Sequence, residues 1–231
     1  QGALEEIKEY SWSPNVVEFN NSPAPFPISV EAFTYGNERQ WWSKTAVLFD
    51  FDDDAECFTI APYAYRNACP TFVSSRGVLE DNEVFLQLLI DAGIDELVIL
   101  GNTLTAELDD FLTEKNYRFT RIADEKTYLT CMEISEYVMS KSDLSTKAEL
   151  CIGAFSTAQW FELLTSGVYA AKYAHATVLE DPTDLDSIAV CLDFVEKHAD
   201  SISKLAFFGS EAGLSSVDRE FLSSELLKNQ G

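Results

Sequence analysis

Two stretches decide how this chain is read: Ala61-Pro-Tyr-Ala-Tyr-Arg-Asn-Ala-Cys-Pro-Thr-Phe-Val73 and Gly167-Val-Tyr-Ala-Ala-Lys-Tyr-Ala-His-Ala-Thr-Val-Leu179. They align without a gap at an offset of 106, so that Tyr63 meets Tyr169, Arg66 meets Lys172, Ala68 meets Ala174 and Thr71 meets Thr177. Downstream, Ile94 to Gly101 meets Ile202 to Gly209 at an offset of 108, and Phe111-Leu112 meets Phe221-Leu222. Small loop insertions account for the drift. A strand, helix and strand are therefore duplicated, and two copies are too few for a solenoid, so they should pack side by side as one pseudo-symmetric body.

Around the repeat, short apolar runs bounded by polar residues or glycine read as strands buried on both faces. They are Ala46 to Phe51, Thr71 to Ser74, Leu97 to Leu100, Tyr117 to Ile122, Glu149 to Gly153, Thr177 to Leu179 and Leu205 to Phe208. Between them the apolar period changes to that of a helix, at Val84 to Ala92, Tyr128 to Val138 and Leu185 to Val195. The alternation predicts an α/β fold with parallel strands sandwiched by helices. Residues 1–43 read differently. Pro14, Pro23, Pro25, Pro27, the Asn20-Asn21-Ser22 cluster and Trp41-Trp42 predict an irregular N-terminal arm with one strand, Ile28 to Phe33. The expected organisation is thus an arm over 1–43, a first unit over 44–115 and a second over 116–231.

The 231 residues carry 16 Lys and Arg against 39 Asp and Glu, a formal charge of -23. Such a surface repels phosphate backbones, which excludes a nucleic-acid binder. No apolar run reaches the ~18 residues of a membrane span, and no basic segment leads into an apolar one as in a secretion signal. Gln1-Gly2 reads as a mature start or an added scar. The five cysteines, Cys57, Cys69, Cys131, Cys151 and Cys191, are odd in number, lack CxxC spacing and sit in apolar stretches, so all five are expected to be reduced, buried thiols.

The second copy also resembles the cell wall binding repeat 2 family of bacterial and archaeal surface proteins. The segments that carry the resemblance are Arg121-Ile-Ala-Asp-Glu-Lys-Thr-Tyr-Leu-Thr130, Gly153-Ala-Phe-Ser-Thr-Ala-Gln-Trp160, Tyr169 to Leu179 and Phe207-Phe-Gly-Ser210. The order agrees from Arg121 to Leu222, and the first copy agrees from Lys44 to Leu112. Asp124 and Thr127 stand where the family has Gly and Arg. The resemblance implies a Toprim-like or Rossmann-like three-layer fold and an extracellular place at the cell wall or cell surface. It implies a non-catalytic role in attaching to a cell wall polymer or another envelope component, with self-association left open. It also places candidate ligand-binding residues at the strand entries Thr71-Phe72-Val73 and Thr177-Val178-Leu179, which should form equivalent inner strands.

A rival reading comes from Val47-Leu-Phe-Asp-Phe-Asp-Asp-Asp54, where an apolar strand ends in Asp-x-Asp and resembles the nucleophile motif of haloacid dehalogenase-like phosphohydrolases. Asp50, Asp52 and Asp54 are hard oxygen ligands at the strand end where open α/β sheets bind their ligands, which suits Mg²⁺. Asp53-Asp54 replaces that motif's Gly-Thr, and the repeat partner Gly153-Ala154-Phe155 has no acid. No cofactor is expected beyond an adventitious Ca²⁺ or Mg²⁺. Gly101-Asn-Thr103 and Gly209-Ser-Glu-Ala-Gly213 read as tight strand-to-helix turns, with Thr105 and Ser215 as N-caps. His175 and His198 have no metal spacing, and Ser156 and Ser210 lack a nucleophile elbow. Trp41, Trp42, Tyr63, Tyr65, Tyr169 and Tyr173 are candidates for a sugar-stacking surface, although core or interface packing suits most of them better.

Overall fold

The computed structural model describes residues 19, 24–77, 79, 81–155 and 160–230. Readings that rest on Gln1, Gly2, Pro14, Asn20-Asn21-Ser22, Pro23 and Ser156 lie outside them. Among the described residues seven strands form, all in the places the apolar runs predict: β1 (Thr45–Asp50), β2 (Thr71–Ser74), β3 (Glu96–Leu100), β4 (Arg118–Ile122), β5 (Ala148–Ala154), β6 (Ala174–Glu180) and β7 (Ile202–Phe208). The chain is an α/β protein with two parallel sheets, ordered β2-β1-β3-β4 and β6-β5-β7, flanked by helices in three layers. Every residue of β6 is buried, as a parallel strand covered on both faces requires.

The two sheets share a register. Val47 lies between Thr71 and Val98, and Cys151 lies between Thr177 and Ala206. The offsets of 106 and 108 seen in the sequence thus recur in the strand pairing. One expectation fails. β2 and β6 hold matching positions but, among the described residues, are edge strands, each hydrogen-bonded to a single neighbour. They are covered by other elements instead. Val73 N donates to Ser29 Oγ beyond β2 (3.3 Å), and the Arg66 guanidinium donates to the carbonyls of Ala174 and, at 2.6 Å, His175 at the start of β6.

The arm also departs from its reading. Ile28 to Phe33 is not a strand but part of α1 (Pro25–Asn37). Pro25 stands at the first helical position and Pro27 still in the first turn, where the backbone N–H has no partner to lose. The buried side is Ser29, Phe33 and Gly36, a helical spacing. The Trp42 ring lies against Gly36, and its Nε1 donates to the Phe33 carbonyl (2.8 Å). β4 pairs with β3, so the boundary drawn at 115/116 falls ahead of a strand that completes the first sheet.

The helices that follow are α2 (Asp54–Arg66), α3 (Asn82–Asp91), α4 (Ala106–Glu114), α5 (Thr127–Ser140), α6 (Trp160–Tyr173), α7 (Leu185–His198) and α8 (Ser216–Gln230). One face of the first sheet, with Leu48, Phe72, Leu97 and Ile99, packs with Phe33, Phe85, Leu89, Leu108 and Leu112 of α1, α3 and α4. The opposite face, with Val47, Phe49, Val98 and Leu100, joins Leu150, Ile152, Ala176 and Val178 of the second sheet in one continuous core. α2 bridges the two, packing on α5, α6 and β6. Pro62 inside α2 has no N–H for the Phe58 carbonyl, and α6 approaches that point through Gly167, whose Cβ would stand 3.4 Å from the carbonyl oxygen.

Candidate functional site

The carboxyl end of the first sheet gathers the acidic residues of the β1–α2 turn. Asp50 is fully buried. Its Oδ2 accepts from Ser74 Oγ (2.5 Å) and Gly77 N (2.8 Å), and its Oδ1 from Asp52 N (3.1 Å). These bonds hold the turn after β2, in which Arg76 and Gly77 are left-handed at φ 62° and 73°. Asp52 and Asp54, by contrast, are exposed. The structure therefore does not bring Asp50, Asp52 and Asp54 to one point, because a carboxylate aimed at internal donors cannot also face the side chains across the turn. Among the described residues no group of three or more His, Cys, Asp or Glu is placed to hold a metal ion.

Two acids that the motif reading passed over are buried here. Asp53 Oδ1 accepts from Thr103 Oγ1 (2.7 Å), while its Oδ2 has no partner among the described residues and lies where a Cβ on Gly101 would stand. Burial raises its pKa. Glu56, on α2 beside Cys131 of α5, is pushed up to about 7 by burial, with the Asp53 and Asp54 charges adding to the effect.

The second sheet carries its acid on the other strand. At the cross-strand position where the first sheet pairs Asp50 with Ser74, the second pairs Ala154 with Glu180. Glu180 is 4% exposed, and its Oε2 has no partner among the described residues. Burial pushes its pKa up to about 7, helped by the charges of Asp218 and Asp181. The alignment could have found this residue, since an offset of 106 sets Glu180 on Ser74. Nearby, Ser215 and Asp218 cap α8 reciprocally: Asp218 N donates to Ser215 Oγ (3.2 Å) and Ser215 N to Asp218 Oδ2 (3.2 Å). Thr105 precedes α4, but its hydroxyl makes no capping bond.

Of the residues expected to meet a ligand, Phe72, Thr177, Val178 and Leu179 are buried. Val73 is half-buried, and Thr71 alone is exposed. The expected aromatic surface divides. Tyr63 packs edge-on against Tyr137 in the core, Tyr169 donates to Glu149 Oε2 (2.6 Å) and Trp42 is held by α1. Trp41, Tyr65 and Tyr173 stay open at 53%, 68% and 51% exposure. Trp41, Trp42 and Tyr65 line a groove of about 680 Å³ between α2 and α6, together with Leu164, Val168 and one charged residue, Lys172. It is the candidate contact surface: apolar, aromatic and, among the described residues, without a carboxylate in its lining.

The remaining motifs serve structure. His175 Nε2 lies 2.9 Å from the Thr146 carbonyl and His198 Nε2 lies 3.0 Å from Glu136 Oε2. The five thiols are unpaired, and burial raises the pKa of every one.

No protein-family model matches the chain, and no curated protein matches it. Solved structures do. "Cwp6 from Clostridium difficile" is similar with a TM-score of 0.70 at 16% identity, over 88% of this chain and 30% of that one. "Cwp8 from Clostridium difficile" is similar with a TM-score of 0.65 at 15% identity, over 90% of this chain and 33% of that one. The likeness is one of fold, and the chain spans about a third of each neighbour.

Proposed function

We propose that this chain is a non-catalytic module of an extracellular surface protein, one that attaches to or organises the envelope at the cell wall. The observation that carries this reading is the two-sheet architecture, which is similar to that of Cwp6 and Cwp8, both cell wall proteins. The acids at the sheet ends agree with it, since the Asp50 oxygens are held by Ser74, Gly77 and Asp52 rather than turned toward a common centre. The two units are read as copies of one plan. The matching residues Tyr63 of α2 and Tyr169 of α6 both lie against their own sheet, Tyr63 in the core with Val47 and Val98 and Tyr169 on Glu149 of β5.

A charge of -23 opposes direct contact with a polyanion, so attachment to an anionic wall polymer calls for bridging divalent cations. Sedimentation with purified cell walls, intact or stripped of their secondary polymer, with and without millimolar Ca²⁺, tests the reading. Co-sedimentation with intact walls in Ca²⁺, lost on stripping, is expected. A protein that stays in the supernatant with intact walls in Ca²⁺ overturns it.

A further inference from the structure

The two sheets differ at one edge. In the first, β3 lies between β1 and β4, and Leu97, Val98, Ile99 and Leu100 are fully buried. β7 holds the β3 position of the second sheet, with Ala206 opposite Cys151 as Val98 is opposite Val47. Among the described residues, however, β7 has β5 on one side and no strand on the other. Its Leu205, Ala206, Phe207 and Phe208 are only half-buried, and Ser203 and Lys204 are exposed. Gln230 Nε2 donates to the Ile202 carbonyl at the start of β7, but beyond it the strand runs to Phe208 with no second strand beside it among the described residues, and such an edge is a template for strand addition.

The first sheet shows what covers such an edge and how it is recognised. β4 runs parallel to β3 in a register that sets Arg118 opposite Glu96, and the two side chains form an ion pair (3.4 Å). Phe119 of β4 packs with the α1, α3 and α4 side of the sheet, while Ile122 enters the core on the other side. At the offset of 108, the counterpart of Glu96 is Lys204. It is paired with Glu149 of β5 (2.8 Å) while its side chain stays 63% exposed. The recognition charge at this edge is therefore reversed.

We propose that the outer edge of β7 docks an extended segment of a partner polypeptide, which adds to the second sheet as a parallel strand. Its chemistry is that of β4 with the opposite charge: an acidic residue facing Lys204, an apolar residue next to it, and a second apolar residue three positions further on. The inference does not depend on wall attachment and can fail or hold separately from it.

The test uses the whole chain with a strand fused after Gly231 through a Gly/Ser linker of about 15 residues, whose reach is roughly 20 Å. The probe strand is a copy of residues 116–124 carrying Arg118→Glu, compared with the unaltered copy and with a scrambled one. The acidic copy is expected to raise the Tm by roughly 3–6 °C over the scrambled copy and to slow amide exchange along β7. The unaltered copy, with Arg facing Lys204, gives a smaller rise, and Lys204→Glu in the body of the protein reverses that order. No rise from either copy, or equal rises, overturns the proposal. So does exchange protection of β7 in the unfused chain that appears with dimerisation, which would assign the edge to a second copy.

Discussion

Burial pushes the carboxyls of Glu56 and Glu180 up to about 7 from the ordinary 4.5, and among the described residues Glu180 Oε2 has no hydrogen-bond partner. The sign follows from linkage. A group that ionises less readily when folded leaves stability untouched below its unfolded pKa, and lowers it as pH rises through the folded pKa. Between about pH 5 and pH 8 each group should therefore lose on the order of 2–3 kcal/mol, because a tenfold change in proton affinity is worth about 1.36 kcal/mol. The predicted outcome is a Tm that falls over that window, and a double variant Glu56→Gln, Glu180→Gln whose Tm is nearly flat across it and higher at pH 8. Differential scanning calorimetry in matched ionic strength measures both. A wild-type Tm that rises from pH 5 to pH 8 would contradict the assignment.

Between elements, Arg66 ties α2 to the start of β6. From the last turn of α2 its guanidinium reaches the carbonyls of Ala174 and His175 and Ser142 Oγ, joining a helix of the first unit to the first residues of β6. Charge-assisted bonds of this kind contribute about 1.5–3 kcal/mol in partly buried settings. Arg66→Ala is expected to lower stability by about that amount. Arg66→Lys should recover less than half, because an ammonium cannot address neighbouring carbonyls with a planar fork. Urea unfolding of the two variants decides this, and equal stability of wild type and Arg66→Ala would mean that the link contributes nothing. Sequence alignment matches Arg66 with Lys172, which sits instead with its ammonium 5.1 Å from the Tyr173 ring centre. The two aligned positions thus have two jobs, which a comparison of letters does not distinguish.

At the scale of the whole molecule, surface electrostatics follow from the charge of -23, spread over carboxylates at helix starts and in loops such as Asp109-Asp110 and Glu180-Asp181. Glu180 is the exception, drawn inside while Asp181 stays half-buried; Glu80, beside Asp81, lies outside the described residues. Some charges are locally offset, as in the Arg121 guanidinium on Asp109 (2.6 Å), but most are not. Raising the ionic strength from 0.1 M to 1 M shortens the screening length from ~10 Å to ~3 Å, so NaCl should raise the Tm at pH 8, and millimolar Ca²⁺ should do so at far lower ionic strength. A Tm indifferent to both would mean that the surface repulsion is already balanced within the fold.

The α/β class and the strands seen among the described residues were legible in the letters of the chain, because parallel strands buried on both faces must be apolar runs. The sequence could not place α1. Prolines in a first helical turn read as breakers until Ser29, Phe33 and Gly36 are seen to face one wall. It also could not show which acids matter. Asp50, Asp52 and Asp54 are close together in the chain, yet the turn after β1 sends the first inward to Ser74 and Gly77 and the other two outward. Which strands are edges, what covers them and which carboxylates lie beyond the reach of water are properties of pairing between distant segments. Burial and hydrogen-bond partners of this kind are set by packing across the two sheets and not by neighbours along the chain.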